Sequence, residues 1–195
     1  MYCTSCGRKI NNECKCLSYI KLSKLEKVFL YLLIFILPML INVVIFYLHG
    51  INYIKNTYLF IGVFTLIIIM SVLLIFSFII KKNYLAIFFN CHQKVTRSFR
   101  IKDKYFIICA RCTGILVGIY FCPFIFYFID NYIYYLLMGL PLIIDGTLQH
   151  LTKYNSNNIK RFTTGFLFST SFVFLFNFSQ LLLLLLCNYL TSFII

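Results

Sequence analysis

The sequence predicts an all-α integral membrane protein with about five transmembrane helices and a short zinc-ribbon-like knuckle at its N-terminus. Three observations carry this: long uncharged apolar runs, basic residues confined to the segments between alternate runs, and cysteines in ligand-like spacings. Of 195 residues, 62% are hydrophobic and 19% aromatic, with a mean hydropathy of +0.90. A soluble domain of this length needs far more polar surface.

A helix crosses a bilayer core with about 20 apolar residues. Runs 28–48 and 58–80 carry no charge. Run 106–129 carries only Arg111, and run 132–148 only Asp145. Run 162–195 is uncharged and longer than one span, so its end is expected to bend or lie in the interface. Helices are the structure expected, because lipid leaves backbone groups no partners outside the segment and the runs lack the alternation of barrel strands.

Charge sets the orientation. The chain has 18 Lys and Arg against five acids, a net +13. With five crossings, all the cations except Lys55 fall on one side: before run one, between runs two and three with Arg111 just inside run three, and between runs four and five. The positive-inside rule then places the N-terminus in the cytoplasm and the C-terminus outside. The basic excess is thereby an orientation signal, and no nucleic-acid partner is expected. No cleavable signal peptide is visible, since the first apolar run begins at residue 28. A composition rich in Ile, Lys, Asn, Phe and Tyr points to an AT-rich prokaryotic genome, and so to the plasma membrane of a prokaryote.

Residues 1–26 form the expected cytoplasmic zinc-ribbon-like segment, and 27–195 the membrane domain. Cys3 and Cys6 stand in a C-x-x-C-G knuckle, followed by Cys14 and Cys16. In such a knuckle the turn points amides at both thiolates, and Gly7 permits the bend. Four cysteines within 14 residues on the reducing side favour zinc over disulfides.

A second cluster follows run two. Cys91 and His92 precede Cys109 and Cys112, which share a face if both are helical. Three sulfurs and an imidazole at one membrane depth suit Zn²⁺. Adjacent Cys91 and His92 do not readily ligate one ion together, so one of them is expected beside the ligand set or as a catalytic group. Cys122 and Cys187 read as small apolar packing residues. Gly114 and Gly118 form a G-x-x-x-G spacing that permits close helix approach.

Asp145 and Gln149 lie at i and i+4 on one face. A carboxylate in a span is costly and is paired or functional. It is either an ion-pair partner of Arg111 or a general base, metal ligand or proton carrier. The stretch Ser156-Asn157-Asn158 through Arg161 opens the last helix, where free amides and Arg serve either as an anion site or as capping and anchoring. Arg97 lies on the same expected membrane face.

These residues carry a resemblance. Cys91-His92-Gln93, Arg97-Ser98-Phe99, Cys109-Ala110-Arg111-Cys112-Thr113-Gly114 and Gly118 match in order, followed by Pro141, Asp145-Gly146, Gln149, Ser156-Asn157-Asn158, Arg161 and Thr164-Gly165. Over residues 85–170 the chain resembles a prokaryotic family of predicted membrane proteins, domain of unknown function 2085. The family carries no activity to transfer.

The combined expectation is a zinc site of Cys91, His92, Cys109 and Cys112, and a second zinc at Cys3, Cys6, Cys14 and Cys16. Asp145 and His92 are the catalytic candidates, and Gln149, Asn158, Arg161 and Arg97 the candidates for binding an anionic or lipid-linked substrate. Metal-dependent hydrolysis or transfer is the first reaction class. A thiol–disulfide or quinone oxidoreductase using Cys109 and Cys112 is the second, and a non-enzymatic scaffold with structural zinc the third.

Overall fold

The computed structural model describes residues 24–80, 84–91, 95–101, 104–106, 108–129 and 131–194. Six helices make up almost all of it: α1 (Lys24–Ile80), α2 (Tyr84–Phe88), α3 (Ala110–Phe128), α4 (Tyr132–Leu137), α5 (Leu140–Leu151) and α6 (Asn158–Ile194). The β structure among the described residues is one antiparallel ribbon, β1 (Arg100–Ile101) with β2 (Lys104–Tyr105).

Three stretches are long and apolar enough to cross a membrane: Phe60–Ser77, Ala110–Phe128 and Asn158–Leu183. Their surfaces fit that reading. In α1, Val63, Leu66, Met70 and Leu73 are buried, while Phe64, Ile68, Val72, Ile75 and Ile79 are exposed, so one helix faces both a core and an apolar surround. Phe121, Phe124, Leu175, Phe178 and Leu182 extend that apolar exterior over α3 and α6. An uninterrupted apolar surface of this kind belongs against lipid or another protein.

The element pattern differs from the five separate runs expected from the sequence. Runs one and two lie within the continuous helix α1, where Leu30–Ile41 is a shorter apolar stretch. A straight helix would hold Tyr31 about 74 Å from Ile80 at 1.5 Å per residue. Yet the Tyr31 hydroxyl donates to the Ile87 carbonyl at 3.0 Å, and Leu30 packs in the same buried cluster as Leu85. The axis of α1 therefore doubles back, and its start lies beside α2.

The fourth run is divided between α4 and α5 at Met138–Gly139. Pro141 has no N–H to give and its ring opposes the carbonyl four residues earlier, which breaks the ladder there. Gly139 seats the break on α6, where an added Cβ would come within 2.7 Å of Ser171 Oγ. The third run also starts later than expected. Residues 104–105 are strand, and α3 begins at Ala110 with Cys109 as its N-cap.

The pair α3–α6 forms the centre, running parallel with backbones in direct contact. A Cβ on Gly114 would lie 2.1 Å from the Phe162 carbonyl oxygen, and one on Gly165 2.3 Å from that of Arg111. At Gly118 it would meet Ser169 Oγ at 2.0 Å. Small residues are what let membrane helices approach this closely. α6 also carries buried Ser169, Thr170, Ser171 and Asn177, and the Asn177 side chain lies directly over Gly62 of α1.

The glycines make a matched test. Gly114→Val should destabilise the protein by about 1–3 kcal/mol or more, as overpacking does. Gly146→Ala, with nothing within 4 Å of the new methyl, should be neutral or stabilising by up to about 1 kcal/mol. Thermal unfolding in detergent reads both, and equal effects would contradict the α3–α6 contact.

Candidate metal centre and charged cluster

The chain reaches the centre through a turn that fixes Cys91. α2 ends with Asn90 in the left-handed region at φ 46°, where Asn is the best-tolerated residue after Gly. The Cys91 amide donates to the Ala86 carbonyl at 2.7 Å and the Asn90 amide to that of Ile87 at 3.0 Å. These are the paired bonds of a Schellman motif. They reverse the chain and turn Cys91 toward the start of α3.

There the Cys91 Sγ accepts a hydrogen bond from the Cys109 amide at 3.2 Å, and the Cys109 Sγ lies 3.4 Å from that of Cys112. All three sulfurs lie within 4.8 Å of one another, and none is in a disulfide. A tetrahedral ion with Zn–S bonds of about 2.3 Å requires sulfurs about 3.8 Å apart, and this trio brackets that value. The group can hold a metal ion. The hydrogen bond with the Cys109 side chain raises the Cys91 thiol above its ordinary range, burial adds to the rise, and Cys112 offsets only part of it. A bound cation reverses that balance, and the free amides at the N-terminus of α3 favour negative charge at the same point.

Arg111 stands between Cys109 and Cys112 in sequence and donates from Nη2 to Asp145 Oδ2 in a short ion pair. Gln149 donates to the same oxygen at 2.8 Å. Asp145 is buried, so its charge is held by two donors at once. The expectation of an Arg111–Asp145 pair is met, and so is the shared face of Asp145 and Gln149.

The start of α6 closes the cluster. Asn157 caps the helix by accepting from the Lys160 amide at 2.8 Å. Asn158 donates to the Ser98 carbonyl and accepts from Arg161 Nη1, both at 3.3 Å. Phe99 meets the Phe162 ring at 5.8 Å, so the 95–101 segment is docked on α6. Arg161 is buried, and Arg97, Arg111, Asp145 and Cys109 all act on it electrostatically.

The sequence-predicted residues thus fall into three contacting groups: Cys91, Cys109 and Cys112; Asp145 and Gln149 on Arg111; and Asn158, Arg161 and the segment carrying Arg97. His92, Cys3, Cys6, Cys14 and Cys16 lie outside the described residues. Cys122 is fully buried near Ser169, as a packing cysteine should be. Two contributors lacked a reading from sequence. Asn90 was legible as a C-terminal helix stop before Cys91, whereas Ser98 acts through its backbone, which leaves no residue signature.

Residues 91–175 match the model of a family described as predicted membrane protein, domain of unknown function 2085. An uncharacterised protein of Methanothermobacter thermautotrophicus is 39% identical over 82 residues, covering 38% of this chain and 73% of the relative. The chain belongs to this family. An uncharacterised protein of Methanocaldococcus jannaschii is 39% identical over 92 residues, covering 43% of the chain and 59% of that relative. No solved structure matches. The family region of the chain contains all three contacting groups.

The ion pair can be tested by a double-mutant cycle. Asp145→Leu leaves Arg111 uncompensated and should cost about 3–5 kcal/mol. Asp145→Leu with Arg111→Leu should recover most of that loss. A loss in the double variant equal to the sum of the Asp145→Leu and Arg111→Leu losses would show that the pair is not coupled.

Proposed function

We propose that this is a zinc-binding membrane protein whose metal site and charged pocket act together on an anionic, lipid-linked group at the cytoplasmic face. The observation that carries it is the set of three sulfurs within 4.8 Å of one another, two of which flank Arg111 of the Arg111–Asp145 pair at the start of α3. Cys91, Cys109 and Cys112 are the proposed ligands. Three protein ligands leave a fourth position, for His92 or for a substrate or water. Zinc held with an open position supplies Lewis-acid chemistry suited to hydrolysis or group transfer.

The remaining residues have proposed roles of their own. Asp145 holds Arg111 in place through one oxygen and is the proposed base. His92 is the second acid–base candidate. Gln149 fixes the Asp145 carboxylate, and Asn158 fixes Arg161. Arg161 and Arg97 supply positive charge for an anionic substrate. In the N-terminal segment, Cys3, Cys6, Cys14 and Cys16 are proposed to hold a second, structural zinc.

Five crossings with a cytoplasmic N-terminus are part of this reading. The doubled-back axis of α1 supports the first two. The Arg111–Asp145 bond supports a return crossing by α4 and α5, because it brings the end of α5 level with the start of α3. A second reading, dithiol exchange by Cys109 and Cys112, is favoured by their 3.4 Å sulfur separation. The third sulfur beside them favours metal instead.

Metal analysis tests the centre. Full-length protein should hold about two zinc ions per chain, and a variant lacking residues 1–26 about one. Affinity at the membrane site should fall as pH falls, by up to about tenfold per pH unit for each thiol that must ionise. Loss of all metal on truncation, with a reducible Cys109–Cys112 disulfide, would replace zinc with the redox reading.

A reporter fused after Ile195 should be active only outside the cytoplasm, and one fused between residues 81 and 104 only inside. A cytoplasmic C-terminus would reduce the number of crossings to an even count.

A further inference from the structure

Three guanidinium groups and one carboxylate meet where α3 and α6 begin. Arg111 is paired with Asp145. Arg161 is 7% exposed and gives Nη1 to Asn158, while its Nε is buried without a partner among the described residues. The Nε of Arg111 is buried and unpartnered in the same way. Arg97, half-buried, stands next to Ser98, whose carbonyl binds Asn158. Among the described residues from 84 onward, Asp145 is the single carboxylate.

Among the described residues the charges therefore do not balance. Three cations less one anion leave +2. A divalent ion on three thiolates carries −1 and still leaves +1. Positive charge next to hydrocarbon is costly and calls for an anion.

A small apolar cleft of about 170 Å³ is lined by Phe88, Phe89, Ile115, Phe168 and Phe172. Its position is fixed by helix geometry. Ile115 follows Arg111 by one turn on α3. Phe168 and Phe172 follow Arg161 by about two and three turns on the same stripe of α6. Both helices lead away from the charged end, so the aromatic cleft lies deeper in the membrane than the arginines.

A positive pocket with an aromatic cleft one to three turns below it matches a molecule with an anionic head and an apolar tail. The geometry points to a binding site for a phosphate-headed lipid: the phosphate lies among Arg97, Arg111 and Arg161, and the first part of the tail lies in the Phe88–Phe172 cleft. A zwitterionic choline head would return a cation to a cluster already in excess, so the fit is to a phosphate head that carries no cation, of which the phosphomonoester is the simplest. This deepens the function proposed above by naming the substrate class, but lipid binding is measured without turnover and without reference to the metal.

The test uses purified full-length protein in a neutral detergent, with native mass spectrometry counting bound lipid. Dioleoyl phosphatidic acid, dioleoyl phosphatidylcholine and dioleoylglycerol are titrated separately, and inorganic phosphate is added as competitor. Phosphatidic acid should be retained about tenfold or more over the other two lipids, as expected for charge-assisted contacts. Inorganic phosphate should not displace it. Arg161→Gln and Arg97→Gln should each reduce retention by about tenfold, and Phe168→Ala by about threefold. Arg161 is buried, so if its variant does not fold, Arg97→Gln and Phe168→Ala decide the matter.

Equal retention of phosphatidic acid and dioleoylglycerol would overturn the role of the arginines. Full displacement by inorganic phosphate would overturn the role of the cleft and leave a free-anion site. Zinc measured on the same samples separates the two proposals. Zinc without selective lipid retention defeats this one alone, and selective retention without zinc defeats the metal centre alone.

Discussion

The backbones of α3 and α6 touch, and the chemistry at their N-termini depends on it. Glycines 114, 118 and 165 remove the side chains that would hold the helices apart. Lipid supplies no hydrophobic force to drive helices together, so close packing and polar contacts must do it. With the axes this near, the first turns of both helices share one small volume. Cys109, Arg111 and Cys112 enter it from α3, and Asn158 and Arg161 from α6. The Schellman turn at Asn90 then adds Cys91, and the broken helix pair α4–α5 adds Asp145.

Electrostatics makes that volume more than a packing contact. Arg111 joins the thiol group to the carboxylate: its sequence neighbours are sulfur ligands, and its guanidinium binds Asp145. A change in charge at the sulfurs is therefore felt at the carboxylate and at Arg161 in a medium that screens poorly.

Much of this was legible in the sequence because membranes impose simple rules. Apolar length marked the helices, and the rarity of charge in them singled out Arg111 and Asp145 as partners. The C-x-x-C at 109–112 and Cys91 could be placed at one depth from the run boundaries alone. What failed was local. Residues 106–109 are apolar and read as helix, but α3 begins only at Ala110 with Cys109 as its N-cap, a boundary that hydropathy does not distinguish. The split at Gly139 was written in Gly139 and Pro141, a signal that uniform hydropathy overrode. The fold-back of α1 is what two successive crossings by runs one and two imply, whereas the helix assignment that runs unbroken between them was not legible. Ser98 contributes a carbonyl, and a backbone group has no letter in the sequence.

The doubling back of α1 has a consequence for the cysteines that precede it. Since Tyr31 lies against Ile87, the helix start at Lys24 emerges at the same end of the molecule as Cys91. Cys16 lies eight residue steps before Lys24, a tether that reaches at most about 28 Å, and a segment held on such a tether meets that end of the molecule at an effective concentration in the millimolar range.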